Sequence, residues 1–131
     1  MTRRIRSTST DRGEVSAEVL LVVPCLMFMA LCAVQLAIYG AAVASATHIA
    51  TDAATAAASR GASAADAMVA VNDGLAGIGA TAAGPSVIDI DESRVTVQVA
   101  IVVRRILPVG PDSVARSATV MRERFVSYLE R

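Results

Sequence analysis

The sequence predicts an α+β protein in which a long N-terminal transmembrane helix with a helical extension precedes a short second helix and a small antiparallel three-stranded sheet. Three observations carry that expectation. From Val19 to Thr51 there is no Asp, Glu, Lys or Arg; the stretch beyond the apolar run is rich in Ala and free of Pro; and after Pro85 apolar residues recur at every second position. A chain of 131 residues has room for one compact unit beside such a span.

The first element is the span. Between Val19 and Ala46 the only strongly polar side chains are Gln35 and Ser45, a run longer than the roughly 18 apolar residues that mark a membrane-crossing helix. Arg3, Arg4, Arg6 and Arg12 lie before it, whereas the first charge after it is Asp52 and the next Arg is Arg60. The positive-inside rule then places the N-terminus in the cytoplasm and the rest of the chain outside it. Pro24 removes one backbone donor and is expected to bend or loosen the helix without ending it. Because Ala is the best helix former, the helix should continue outward to about Arg60. Ala44-Ser45-Ala46 also fits the small-residue cleavage site of a secretory signal, which would release a secreted protein beginning at Thr47. Val19 to Tyr39 already exceeds the roughly 7–15 residues of a signal-peptide core, which favours retention in the membrane.

Gly61 should break the helix, with Ser63 as the N-cap of a second one and Asp66 in its first turn, where an acid is favourable. That helix is expected from about Ala64 to Asp73. Gly74, Gly77, Gly79, Gly84 and Pro85 then mark a loop and a change of architecture. Three strands follow: Val87–Ile90, Arg94–Val103 and Ser117–Phe125. In the middle one Val95, Val97, Val99 and Ile101 take one face and Thr96, Gln98 and Ala100 the other, the period of a half-buried strand. Asp91-Glu92-Ser93 is short enough for a hairpin, while Pro108, Gly110 and Pro111 force a longer excursion before the third strand. Helices must cover this sheet, since three strands alone bury too little. The expected organisation is a basic leader over 1–13, a transmembrane helix with its outward extension over 14–60, and a small extracytoplasmic head over 61–131.

Charge and inventory narrow the function. The formal net charge is +0 and every basic residue is Arg, spread along the chain, so nucleic acid is not an expected partner. Cys25 and Cys32 lie about 10 Å apart along a helix and cannot bridge each other; they read as small apolar side chains. His48 is the only histidine, with no Cys, Ser or carboxylate around it at ligand or triad spacing, so neither a metal site nor enzyme chemistry is expected. The glycines from Gly74 to Gly84 lack phosphate-loop spacing, and no cofactor is expected.

The informative stretch is RGEVSAEVLLVVP, Arg12 to Pro24, behind its basic leader. A short Arg-containing leader ending in Gly, then a Glu five residues on, then an unbroken apolar helix, resembles a type IV prepilin processing site. The chain as a whole resembles the TadE-like minor pilins, or pseudopilins, of tight-adherence (Tad, or Flp) pili. The likeness extends loosely to Val95-Thr96-Val97, Pro108 and Ala118-Thr119-Val120-Met121-Arg122-Glu123. Two departures, Val19 in place of the Tyr of the major Flp pilin and an acidic first mature residue, fit a minor subunit. The resemblance implies cleavage by prepilin peptidase between Gly13 and Glu14, and an assembly role for Glu18. It also implies as partners pilin and other minor pilin subunits, the Tad assembly platform and membrane lipid. A new α-ammonium group on Glu14 in a filament core needs a carboxylate, because a lone buried charge is costly; Glu18 of a neighbouring subunit would supply it. Losing one member of such a desolvated pair costs about 3–5 kcal/mol.

Ala33, Ala37, Gly40, Ala41 and Ala44 recur at spacings of three and four, a stripe along which another helix could approach closely, and Gln35 could add an interhelical hydrogen bond of about 0.6 kcal/mol. Two alternatives stay open beside the pilus subunit: an uncleaved bitopic anchor with a head that binds another envelope protein, and the secreted product of cleavage after Ala46.

Overall fold

The computed structural model describes residues 11–59 and 61–122, with side chains from Glu18 onward. Most of the basic leader, Arg60, and the expected end of the third strand at Glu123, Arg124 and Phe125 lie outside the described residues. Helix α1 runs over Asp11–Ala58, 48 residues without interruption, and continues through Pro24. Helix α2 covers Ala64–Gly77, and strands β1 (Val87–Ile90), β2 (Arg94–Val102) and β3 (Ser113–Met121) follow. The strands form one antiparallel sheet in the order β1-β2-β3. The α+β architecture expected from the sequence is the one present.

The C-terminal third of α1 carries the head. Ala46, Ala50, Ala53, Ala54 and Ala57 recur at helical spacing and are fully buried, with Ile49 beside them at 5% exposure. Methyl-sized side chains let the helix backbone come close to the sheet, while Ala supplies the propensity that holds the helix together. On the opposite side of the core stand Val95, Val97, Val99 and Ile101 of β2, together with Val103 and Val114. Burying each Val or Ile completely is worth about 1.5–3 kcal/mol. Helix α2 closes the core with Ala67, Val71 and Leu75, one face at i, i+4 and i+8.

Where α1 faces away from the core, Thr47, Thr51 and Thr55 each donate a hydroxyl to the backbone carbonyl four residues before it, all at 2.8 Å. Polar residues are thereby accommodated on an otherwise continuous helix. Gly61 ends the connection with φ +80, a left-handed conformation that glycine adopts without steric cost. Ser63 then caps α2 in extended geometry: the Asp66 carboxylate accepts from the Ser63 backbone N–H at 2.7 Å and from its hydroxyl at 2.9 Å. Those two bonds, the backbone one first, hold the Asp66 carboxyl below its ordinary value.

Two boundaries correct the sequence reading. Helix α2 does not stop at Asp73 but passes through Gly74 to Gly77. A Cβ at Gly74 would lie 2.9 Å from Ile49 Cγ1, so this glycine permits contact between α1 and α2 rather than ending a helix. Strand β3 begins at Ser113, four positions before Ser117, and is in register with β2 from Val102↔Ser113 to Arg94↔Met121. Exposed Arg116 interrupts the apolar alternation there and hides the pairing. Along the other edge of β2, Ala82 bridges Ile101, and Ala83 N–H donates to Ala100 O at 2.8 Å. Residues 81–83 therefore extend the β1 side of the sheet.

Candidate functional site

Helix α1 offers three regions to a partner: its N-terminal end, an unoccupied lateral face, and the place where the head folds back along it. At the N-terminal end, Gly13 and Glu14 lie in helical backbone. Glycine inside a helix costs about 0.5–1 kcal/mol relative to Ala, which makes this peptide the easier one to unwind. Glu18 follows on the same helix with its side chain exposed, at the start of the apolar stretch Glu18–Ala58, 41 residues long enough to cross a membrane.

The lateral face is set by the head. Residues that touch the core, among them Tyr39, Ala42, Ala46, Ile49 and Ala53, define one side of α1. At about 100° per residue the centre of the stripe Ala33, Ala37, Gly40, Ala41 and Ala44 falls roughly 160° away, and all five residues are exposed. A Cβ placed on Gly40 meets nothing within 4 Å. The structure therefore brings the stripe together on one open face, opposite the head. It does not bring Glu18 near the head or near the stripe's far end, since Glu18 lies about 39 Å from Ala44 along the helix axis.

The third region is built by contacts between parts of the chain far apart in sequence. Between β2 and β3 the chain makes an excursion whose neck is closed by Val103 N–H donating to Asp112 O at 2.8 Å. The loop within, Arg104-Arg105-Ile106-Leu107-Pro108-Val109-Gly110-Pro111, reaches back along α1. Gln35 Oε1 accepts from Ile106 N–H at 2.8 Å and from Leu107 N–H at 3.4 Å. The side-chain oxygen of Gln35, expected to bond across to another helix, is thus engaged within its own chain. Beneath the loop lies an apolar groove of about 660 Å³, walled by Phe28, Cys32, Leu36 and Tyr39 on one side and by Leu107 to Pro111 on the other. The signal for it was a proline-bounded loop that stayed apolar at Ile106, Leu107 and Val109 directly after two arginines.

No family model, curated protein or solved structure matches this chain. His48 is exposed on α1, and among the described residues no three His, Cys, Asp or Glu side chains gather where they could share a metal ion. The chemistry on offer is packing: an apolar rod, a smooth face and a groove.

Proposed function

We propose that this chain is a TadE-like minor pilin, or pseudopilin, of a Tad (Flp) type IV pilus. In this reading prepilin peptidase cuts between Gly13 and Glu14, and the mature subunit begins with the long apolar helix. Until assembly it sits in the cytoplasmic membrane with its N-terminus inside and its head outside. The observation that carries the proposal is the placement of Gly13, Glu14 and Glu18 at the N-terminal end of a single uninterrupted helix whose small-residue stripe, Ala33 to Ala44, stays exposed on the side away from the head. A subunit that must leave the bilayer and stack beside others needs such a rod, with one long face left open.

The exposed stripe supports the same reading. Small residues let helices approach closely, and in lipid, where apolar burial gives no net drive, close packing is the main source of attraction. Ala33, Ala37, Gly40, Ala41 and Ala44 face away from the head, so a neighbouring pilin helix can reach them without displacing anything. Release after Ala46 is disfavoured by the same geometry, because it would remove Gln35 from Ile106 and Leu107 and strip Tyr39 and Val43 from the core.

Intact mass and N-terminal sequencing of the chain purified from its native host test the proposal. The expected mature protein begins at Glu14. A full-length chain in cells with active prepilin peptidase refutes it in favour of an uncleaved bitopic anchor, and a soluble chain beginning at Thr47 refutes it in favour of secretion. Glu18→Ala should be processed normally yet fail to enter pili, since the carboxylate pairs with the neighbouring amine and takes no part in the cut.

A further inference from the structure

We propose that the β2–β3 loop, residues 104–111, is a membrane-inserting element that rests in the outer-leaflet interface and holds a phospholipid against α1. The inference rests on the membrane-anchor part of the function proposed above and is independent of pilus assembly.

Length sets the depth. From Val19 to Tyr39 the helix rises about 30 Å, the thickness of the hydrocarbon core of a bilayer. With Glu18 at the inner boundary, Tyr39 stands at the outer one, where aromatic rings with a polar tip are favoured. Gln35 lies about 6 Å below Tyr39, and its side chain is bonded to the loop at Ile106 and Leu107. The loop is therefore held at or just within the boundary by the same helix that fixes the span.

Its composition suits that depth. Backbone N–H groups without acceptors cost several kcal/mol in hydrocarbon. Ile106 and Leu107 have theirs satisfied by Gln35 and Pro108 and Pro111 have none, while the N–H groups of Val109 and Gly110 are left to the water and head groups of the interface, which sets the loop at the boundary and not deep in the hydrocarbon. Gln35, the one strongly polar side chain within the apolar run up to Ala44, thus serves the loop. Meanwhile the apolar side chains point outward: Ile106 is 50% exposed and Val109 73%. In water such exposure is unfavourable, whereas in the interface it becomes burial.

The occupant follows from charge and shape. Exposed Arg104 and Arg105 sit at the root of the loop, nearer the head, where lipid phosphates lie; guanidinium groups bind phosphate with paired hydrogen bonds. The groove walled by Phe28, Cys32, Leu36 and Tyr39 opposite Leu107 to Pro111 is apolar and runs beside the span, which fits an acyl chain. An anionic phospholipid of the outer leaflet meets both requirements at once.

The test places an environment-sensitive fluorophore at Val109→Cys in the full chain, with Cys25 and Cys32 changed to Ala, in vesicles of phosphatidylcholine and phosphatidylglycerol. Parallel labels at Leu26→Cys and Ser117→Cys report the span and the outward face of β3. Quencher lipids carry the nitroxide either near the head group or near the chain end. The Val109 label should emit in the blue and lose most of its emission to the shallow quencher, Leu26 to the deep one, and Ser117 to neither. A water-like Val109 label beside a quenched Leu26 label overturns the loop proposal and leaves the anchor standing. An unquenched Leu26 label overturns both. A Val109 label that is blue and unquenched, and turns water-like when the protein is diluted with lipid, assigns the groove to a second copy of the chain and overturns the lipid assignment.

Discussion

At Gly74 an added methyl group would meet Ile49 Cγ1 at 2.9 Å and Cγ2 at 3.2 Å. Ile49 is almost fully buried and, being β-branched in a helix, has one strongly preferred χ1, so it cannot swing aside. Replacing Gly by Ala in a helix gains about 1 kcal/mol of propensity, but forcing extra volume into a packed core costs about 1–3 kcal/mol. Gly74→Ala is therefore expected to lower the stability of the detergent-solubilised chain by roughly 1 kcal/mol in urea unfolding. In an Ile49→Ala background, where the clashing atoms are gone, the same substitution should stabilise instead. Equal effects in both backgrounds would show that the α1–α2 contact is not what Gly74 serves. Gly40 has the same chemistry in open space, and there the freedom is useful only to a partner. Sequence reading assigns the packing role to Gly40 and a turn to Gly74, and only the fold shows that Gly74 is the one that faces a neighbouring helix of its own chain.

Among the elements, strand β2 was legible because burial on one face imposes alternation, and Val95, Val97, Val99 and Ile101 obey it without exception. Strand β3 was half legible, since its pairing partner rather than its own composition fixes where it starts. Helix α2 was readable at its beginning, where Ser63 and Asp66, three positions apart, carry the capping chemistry, and obscure at its end, where glycines that pack look like glycines that turn. The cap also makes a prediction. Asp66 is held ionised by hydrogen bonds from Ser63, and a carboxyl depressed on folding contributes stability that is present above its unfolded value and is lost as pH falls through the folded one. Hydrogen exchange of the first-turn amides of α2, corrected for intrinsic rate, should thus be unchanged near neutrality and accelerate below about pH 4. Asp66→Asn should abolish that acid dependence; an unchanged profile in the variant would assign it to another group.

Over the whole molecule, α1 is both the rod and a wall of the head, which is why the site was only partly visible beforehand. Gly13, Glu14, Glu18 and the small-residue stripe are local patterns along one helix and can be read from spacing. The groove needs Gln35 to meet Ile106, a contact 71 positions apart in the chain, and the apolar, proline-bounded loop hints at a buried contact without naming its partner. The same sharing has a mechanical consequence. Four apolar residues of β2 lose their cover if α1 is removed, at about 1.5–3 kcal/mol each, a total comparable to the roughly 5–15 kcal/mol that stabilises a typical domain. A chain beginning at Ala62 should consequently show no cooperative unfolding by circular dichroism, whereas one beginning at Thr47, which keeps Ile49 to Ala58 against the sheet, should retain a transition at reduced temperature. If the Ala62 chain unfolds as cooperatively as the full one, the head is an independent unit tethered to its helix. If it does not, a pull on the apolar rod is transmitted directly into the core of the head, and the two move as one body.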